Sequence, residues 1–140
     1  MREKAAICTK LEVLAGYYRE LMEVTADVAF ETYAGNTLIR RGCERLIQLV
    51  VECATDINCM ILKDLEKPAP KDYFNSFIEL GEAGVLDMDM VLQLAPSTGL
   101  RNILVHEYQK IDDRIVYHSL ASVRKQYAAY IEKVAAWVGC

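Results

Sequence analysis

The chain has 140 residues, 53% of them hydrophobic and 26% charged, the balance of a single folded domain and not of a disordered chain. Seven glycines and three prolines are too few for an all-β protein that must turn every ten residues or so. A net charge of −4 excludes a general polyanion binder, so contact with nucleic acid would need a local basic patch.

No window reaches the roughly 18 apolar residues that cross a bilayer. Lys10 and Glu12 interrupt the apolar run that a secretory signal would need. The expectation is a cytoplasmic chain with no membrane contact.

Ile7, Leu11, Leu14, Tyr18, Leu21, Thr25 and Val28 repeat at steps of four and three, one face of a helix. This predicts a helix from about Glu3 to the low thirties. Gly35 or Asn36 would end it, and Asn36 or Thr37 would cap the next. The second helix repeats the pattern in Ile39, Cys43, Leu46, Val50, Cys53, Ile57 and Met60, and Leu49, Ile61 and Leu62 widen the stripe. Two such helices joined by a short turn pack antiparallel, and their stripes need further helices as cover.

Pro68 and Pro70 break the pattern. A short helix from Asp72 to Leu80 is expected to bury Phe74, Phe77 and Ile78, with a turn between Gly81 and Gly84. Asp87 can cap another through Leu94. A helix from Ser97 or Thr98 to about Ile111 follows. Asp112 or Asp113 caps the last, whose stripe is Val116, Leu120, Val123, Tyr127, Tyr130, Val134 and Val138. The fold class is thus all-α: an antiparallel bundle of four main helices plus short ones, one domain over residues 1–140. The tyrosine pairs Tyr17 and Tyr18, and Tyr127 and Tyr130, read as packing.

Five cysteines, an odd number, include no Cys-x-x-Cys, and only His106 and His118 accompany them. A zinc site needs four ligands at short paired spacings, so no metal is expected. Cys43 and Cys53 fall on an apolar stripe and read as small core residues in a reducing compartment. His118 reads as an exposed helix residue. Arg40, Arg41 and Arg45 open the second helix, where positive charge opposes the helix dipole. They form a solvated face or an edge that contacts phosphate.

The segment Leu100-Arg101-Asn102-Ile103-Leu104-Val105-His106-Glu107-Tyr108 concentrates the chemistry. Read as a helix at about 100° per residue, Leu100, Ile103, Leu104 and Ile111 face the core. Asn102 and His106 stack on the opposite arc, and Arg101 and Tyr108 share a flank. Glu107 falls inside the apolar arc, at odds with its charge. Arg101 and His106 lie about 140° apart, too far to grip one phosphate from a single helix. A symmetric copy would supply the missing half, and Val105 on the polar arc fits such a contact.

Arg101-Asn102-x-x-x-His106-x-Tyr108 resembles the Arg-x(4–6)-His signature of HEPN domains in its HepT-like form. The order of helices matches that family over nearly the whole chain. The resemblance implies a homodimer whose motif helices meet at the two-fold axis. It implies a metal-independent endoribonuclease that needs no cofactor and acts as the toxin of a type VII-like toxin–antitoxin pair. The implied partner is an MNT-type nucleotidyltransferase antitoxin, which would transfer AMP from ATP to Tyr108 and so neutralise the toxin.

The residue types suit that chemistry. Cutting RNA without metal needs a base for the ribose 2′-hydroxyl, an acid for the leaving 5′-oxygen and positive charge on the phosphate. Two copies of His106 can serve as base and acid. Arg101 can bond two phosphate oxygens, and Asn102 can orient His106 or bond the phosphate. An adduct on Tyr108, beside Arg101, would occupy the substrate phosphate position. Residues 97–125 carry five cations against three carboxylates, a net of +2, and the remaining chain sums to −6. The alternative is a non-catalytic helical partner of a nucleotidyltransferase, a nucleotide- or protein-binding module.

Overall fold

The computed structural model describes residues 2–140, which form helices and connecting turns. The helices are α1 (Lys4–Thr25), α2 (Phe30–Gly35), α3 (Thr37–Asp64), α4 (Tyr73–Glu82), α5 (Met88–Leu94), α6 (Pro96–His106) and α7 (Asp113–Val138), with a 3-10 turn at Tyr108–Lys110. None among the described residues is long and apolar enough to cross a membrane. No cluster of three or more His, Cys, Asp or Glu side chains among them forms a candidate metal site.

The seven-residue repeats become the contacts between α1, α3 and α7. Ile7, Leu11, Leu14, Leu21 and Thr25 of α1 are buried, and every residue of the α7 stripe is buried. Tyr18 is half-buried, its hydroxyl donating to the Arg124 carbonyl at 2.9 Å. Ile61 and Leu62, expected to widen the α3 stripe, are buried and Leu49 is half-buried, as are Ile39, Leu46 and Met60. The stripe is wider still, since Glu44, Ile47, Val51, Ala54, Thr55 and Asn58 are also buried. A helix packed against α1, α4 and α6 on different sides has little surface left for water.

Long-range bonds fix the directions. The N–H groups of Arg2 and Glu3 donate to Asp64, and Lys10 pairs with Asp56 at 3.1 Å, so α1 and α3 run antiparallel. Cys8 is disulfide-bonded to Cys140, Tyr18 meets Arg124, and Val28 accepts from Tyr117, so α1 and α7 are antiparallel too. The disulfide joins residues 132 positions apart, a pairing that cysteine spacing alone does not reveal. Cys43 and Cys53 are buried thiols as expected, and burial pushes the Cys43 thiol up to about 11. Cys59 is a free, exposed cysteine.

Several expectations about the elements fail. The first helix ends at Thr25, not in the low thirties. Asp27 takes a left-handed φ of +52°, which Asp tolerates better than most residues, and the chain restarts as α2. That break lets Phe30 and Tyr33 reach Tyr117 on α7, which a continuous α1 would not allow. Phe74 is 48% exposed rather than buried, because Phe77 and Leu80 form the inward face of α4. Asp87 precedes α5 but makes no side-chain cap bond.

The expected caps at Asn36 and Asp112 hold, and Asp72 caps α4, which was not expected. Asn36 accepts from Ile39 at 3.0 Å, Asp72 from Asn75 at 2.7 Å, and Asp112 from Arg114 and Ile115 at 2.9 and 3.3 Å. The backbone N–H and the side-chain amide of Asn75, both donating to Asp72, hold its carboxyl below the usual value. Of the two turn glycines, only Gly84 adopts positive φ, at +82°. Gly81 lies within α4, where a Cβ would come within 2.7 Å of both Met88 and Val91. It allows α5 to fold back against α4.

A buried polar chain crosses the core. Tyr130 donates to Asn58 Oδ1 at 2.6 Å and lies 3.0 Å from the Ala54 carbonyl. Asn58 Nδ2 donates to Ser76 Oγ at 3.1 Å, which donates to the Tyr73 carbonyl at 2.7 Å. It links α7 through α3 to α4, the helix that carries Tyr73. Tyr130→Phe leaves the Asn58 oxygen without that donor and should cost about 1–3 kcal/mol of stability, read as a lower urea midpoint at unchanged slope. An unchanged midpoint would show that the hydroxyl contributes nothing.

Candidate active site

α6 begins with Pro96 in its first turn and stops at His106. It does not continue to Ile111. Glu107 leaves helical geometry at φ −125° and ψ 45°, its N–H still bonded to the Ile103 carbonyl. Tyr108, Gln109 and Lys110 then form the 3-10 turn. This removes the conflict at Glu107: the side chain is exposed, 3.5 Å from Lys110, instead of inside an apolar arc. His106 is exposed as the last helical residue, and Asn102 is exposed one turn before it. Leu104 is buried, while Leu100, Ile103 and Val105 are half-buried.

Arg101 is held tightly. Its Nε and Nη2 donate to Glu52 Oε2 at 2.9 and 2.7 Å, and its Nη1 donates to Asn102 Oδ1 at 3.1 Å. Its guanidinium sits 4.5 Å from the ring centre of Tyr73, the first residue of α4. The side chain is only 14% exposed. Gln48 Nε2 donates to the same Glu52 oxygen at 3.1 Å. Residues from α3, α4 and α6 thus aim one cation. Three of the five guanidinium donors are engaged, and two remain for an anion.

The altered end of α6 moves Tyr108 away from the flank it was expected to share with Arg101. The ring, 50% exposed, lies against α3 with the Arg41 guanidinium 5.1 Å from its centre. Arg41 Nη1 also donates to both oxygens of buried Glu44, at 3.0 and 2.9 Å. Tyr108, Arg41, Glu44, Arg45, Gln48 and Leu104 enclose a recess of about 150 Å³. Arg40 turns elsewhere, donating to the Ala34 carbonyl and pairing with Asp113 at 3.5 Å. His118 is exposed and stacks on Phe30.

One polar face of α3 therefore spans the site. Arg41, Arg45, Gln48 and Glu52, spaced four, three and four apart, run from Tyr108 to Arg101. Sequence reasoning missed Glu52, Gln48, Glu44 and Tyr73. The polar spacing in α3 was a visible signal, but nothing in it said which helix it would face.

A second recess of about 170 Å³ lies where α6 meets α7, lined by Pro96, Leu100, Ile115, Val123 and Tyr127 among others. Ile115 is 62% exposed, and Leu92 on nearby α5 is 63% exposed.

The sequence matches the family described as "Ribonuclease HepT-like" over residues 14–134. It is 34% identical over 136 residues to a protein of Aphanizomenon flos-aquae named tRNA nuclease HepT, covering 97% of this chain and 92% of that one. It is 36% identical over 84 residues to a putative RNase of Archaeoglobus fulgidus, covering 60% of this chain and 63% of that one. Among solved structures it resembles a tri-AMPylated Shewanella oneidensis HEPN toxin in complex with an MNT antitoxin. The TM-score is 0.84 at 22% identity, covering 93% of this chain and 96% of that one. At that identity the likeness shows the fold alone. The helical order, the Arg101–His106 motif on α6 and the match over most of the sequence agree: the chain belongs to the HepT-like ribonuclease family.

Proposed function

We propose that the chain is a metal-independent endoribonuclease toxin that cuts RNA at a composite site between two copies. The observation that carries this reading is the anchored Arg101, with two N–H groups unengaged, on the helix that ends in exposed His106. The 2′-hydroxyl would attack the adjacent phosphorus as one His106 takes its proton. The P–O bond to the 5′-oxygen breaks, and the second copy's imidazole protonates that oxygen. The products are a 2′,3′-cyclic phosphate and a 5′-hydroxyl. Arg101 meets the charge that builds on the phosphate, from a side chain that needs no rearrangement. Asn102, bonded to Arg101, contributes to the same face.

The second copy is supported by exposed Ile115 and half-buried Leu100 and Val105 on or beside α6, apolar area that pairing would remove from water. The relative named a tRNA nuclease makes tRNA the first substrate to assay. The solved toxin–antitoxin likeness supports an MNT-type nucleotidyltransferase as partner and antitoxin. With ATP, the Tyr108 hydroxyl would attack the α-phosphorus. A phenolic O–P bond forms, the α–β bridge breaks, pyrophosphate leaves, and the phenolic proton passes to solvent. Tyr108 is half-exposed, as an acceptor must be.

The alternative, a non-catalytic helical partner of a nucleotidyltransferase, is favoured by one observation: the three bonds of Arg101 lie within one protomer and suit a structural role.

His106→Ala should lower tRNA cleavage by at least about 100-fold with the fold intact, measured on end-labelled tRNA. Cleavage undiminished in that variant, or a chain that stays monomeric in sedimentation, would overturn the composite site. Glu52→Gln removes the charge that aims Arg101. It should lower kcat about tenfold while KM changes little, and kcat equal to that of the parent would exclude a positioning role. Incubated with the partner and ATP, the parent should gain mass in AMP units and Tyr108→Phe should not. An adduct that persists in that variant would remove Tyr108 as acceptor.

A further inference from the structure

The three arginines at the start of α3 are not equivalent. Positive charge near a helix N-terminus opposes the dipole, and two of them have carboxylate partners: Arg40 with Asp113 and Arg41 with Glu44. Arg45 is exposed and has no ion-pair partner among the described residues. Arg41 spends one of its nitrogens on Glu44 and lays its guanidinium over Tyr108. The recess beside Tyr108 thus holds two cations against one carboxylate. It carries a surplus of one positive charge beside a tyrosine hydroxyl that the proposed function modifies.

We propose that this recess is a phosphate subsite, in which Arg41 and Arg45 hold the phosphodiester of a nucleotide joined to Tyr108. The inference rests on Tyr108 being the AMP acceptor. It differs from the expectation that the adduct would sit on Arg101, because Tyr108 lies against α3 at Arg41 and Arg101 is bound to Glu52. A free phosphate gains little from two exposed arginines in water. A phosphate tethered to the ring that Arg41 already covers meets them at a high effective concentration. Gln48 lines the recess and bonds Glu52, the anchor of Arg101. A nucleotide held there lies along the α3 face that leads to Arg101, across the approach of an RNA strand. Neutralisation is then a fixed obstruction, held by residues outside the cutting motif.

The test measures how firmly the adduct is held. Parent, R41Q/R45Q, R45Q and R101Q chains are modified with the nucleotidyltransferase and ATP, then treated with a non-specific phosphodiesterase. AMP release is followed by intact mass. The proposal expects release about tenfold faster from R41Q/R45Q than from the parent, and an intermediate rate from R45Q. Loss of Arg41 strips buried Glu44 of its partner. The R45Q chain, which breaks no ion pair, therefore separates adduct holding from instability. Equal rates in the parent, R45Q and R41Q/R45Q would overturn the proposal and leave the ribonuclease and its modification standing. Faster release from R101Q alone would return the phosphate to Arg101 and also overturn it. A parent that takes no AMP on Tyr108 would sink the modification itself, and this subsite with it. Equal release rates joined to a raised KM for RNA in unmodified R41Q/R45Q would assign the arginines to the RNA strand instead.

Discussion

The bond between Arg101 and Glu52 joins residues 49 apart in sequence and fixes the direction of the one arginine on α6. It is half-buried, with the two side chains 14% and 25% exposed. Removing charge from water has a desolvation cost that pairing offsets only with good geometry and further hydrogen bonds. Both conditions are met here. One carboxylate oxygen accepts two guanidinium N–H groups and one from Gln48, while the Tyr73 ring covers the cation. An arginine on a lone helix would sweep many rotamers. This one keeps a single direction, which is what a site stabilising phosphate charge requires.

That bond depends on the bundle around it. Glu52 points at α6 because α3 is packed on several sides and presents different faces to α1, α4 and α6. Tyr73 is in place because Asp72 caps α4, and because the Tyr130–Asn58–Ser76 chain reaches the Tyr73 carbonyl. The buried polar groups of the core and the Arg101 cation therefore belong to one connected network. The core holds the site in register through it.

The end of α6 separates two side chains, Arg101 and Tyr108, that a longer helix would have placed on one flank. With the helix closed at His106, Tyr108 swings against α3 and meets Arg41. Arg101 and Tyr108 then lie at two points of one α3 face, Glu52 at one and Arg41 at the other. Under the proposed function, this arrangement would let a modification of Tyr108 act on the site without touching Arg101 or His106.

The sequence alone determined the fold class and most of the core, because burial on a helix follows a period of 3.6 residues that any one segment displays. The α7 stripe is buried at each of its seven positions, and the caps at Asn36 and Asp112 are local chemistry within four residues. The motif at Arg101, Asn102, His106 and Tyr108 could be picked out by its resemblance to a family signature because it lies within eight residues. What only the tertiary structure decided was every relation between distant segments. The break after Thr25 serves contacts of α2 with α7, and the disulfide joins Cys8 to Cys140. Helix propensity carries no information about partners so far along the chain. Nor did it place Glu52 under Arg101 or Arg41 over Tyr108, since a polar residue on a helix records only that it avoids the core, and packing chooses which neighbour it faces.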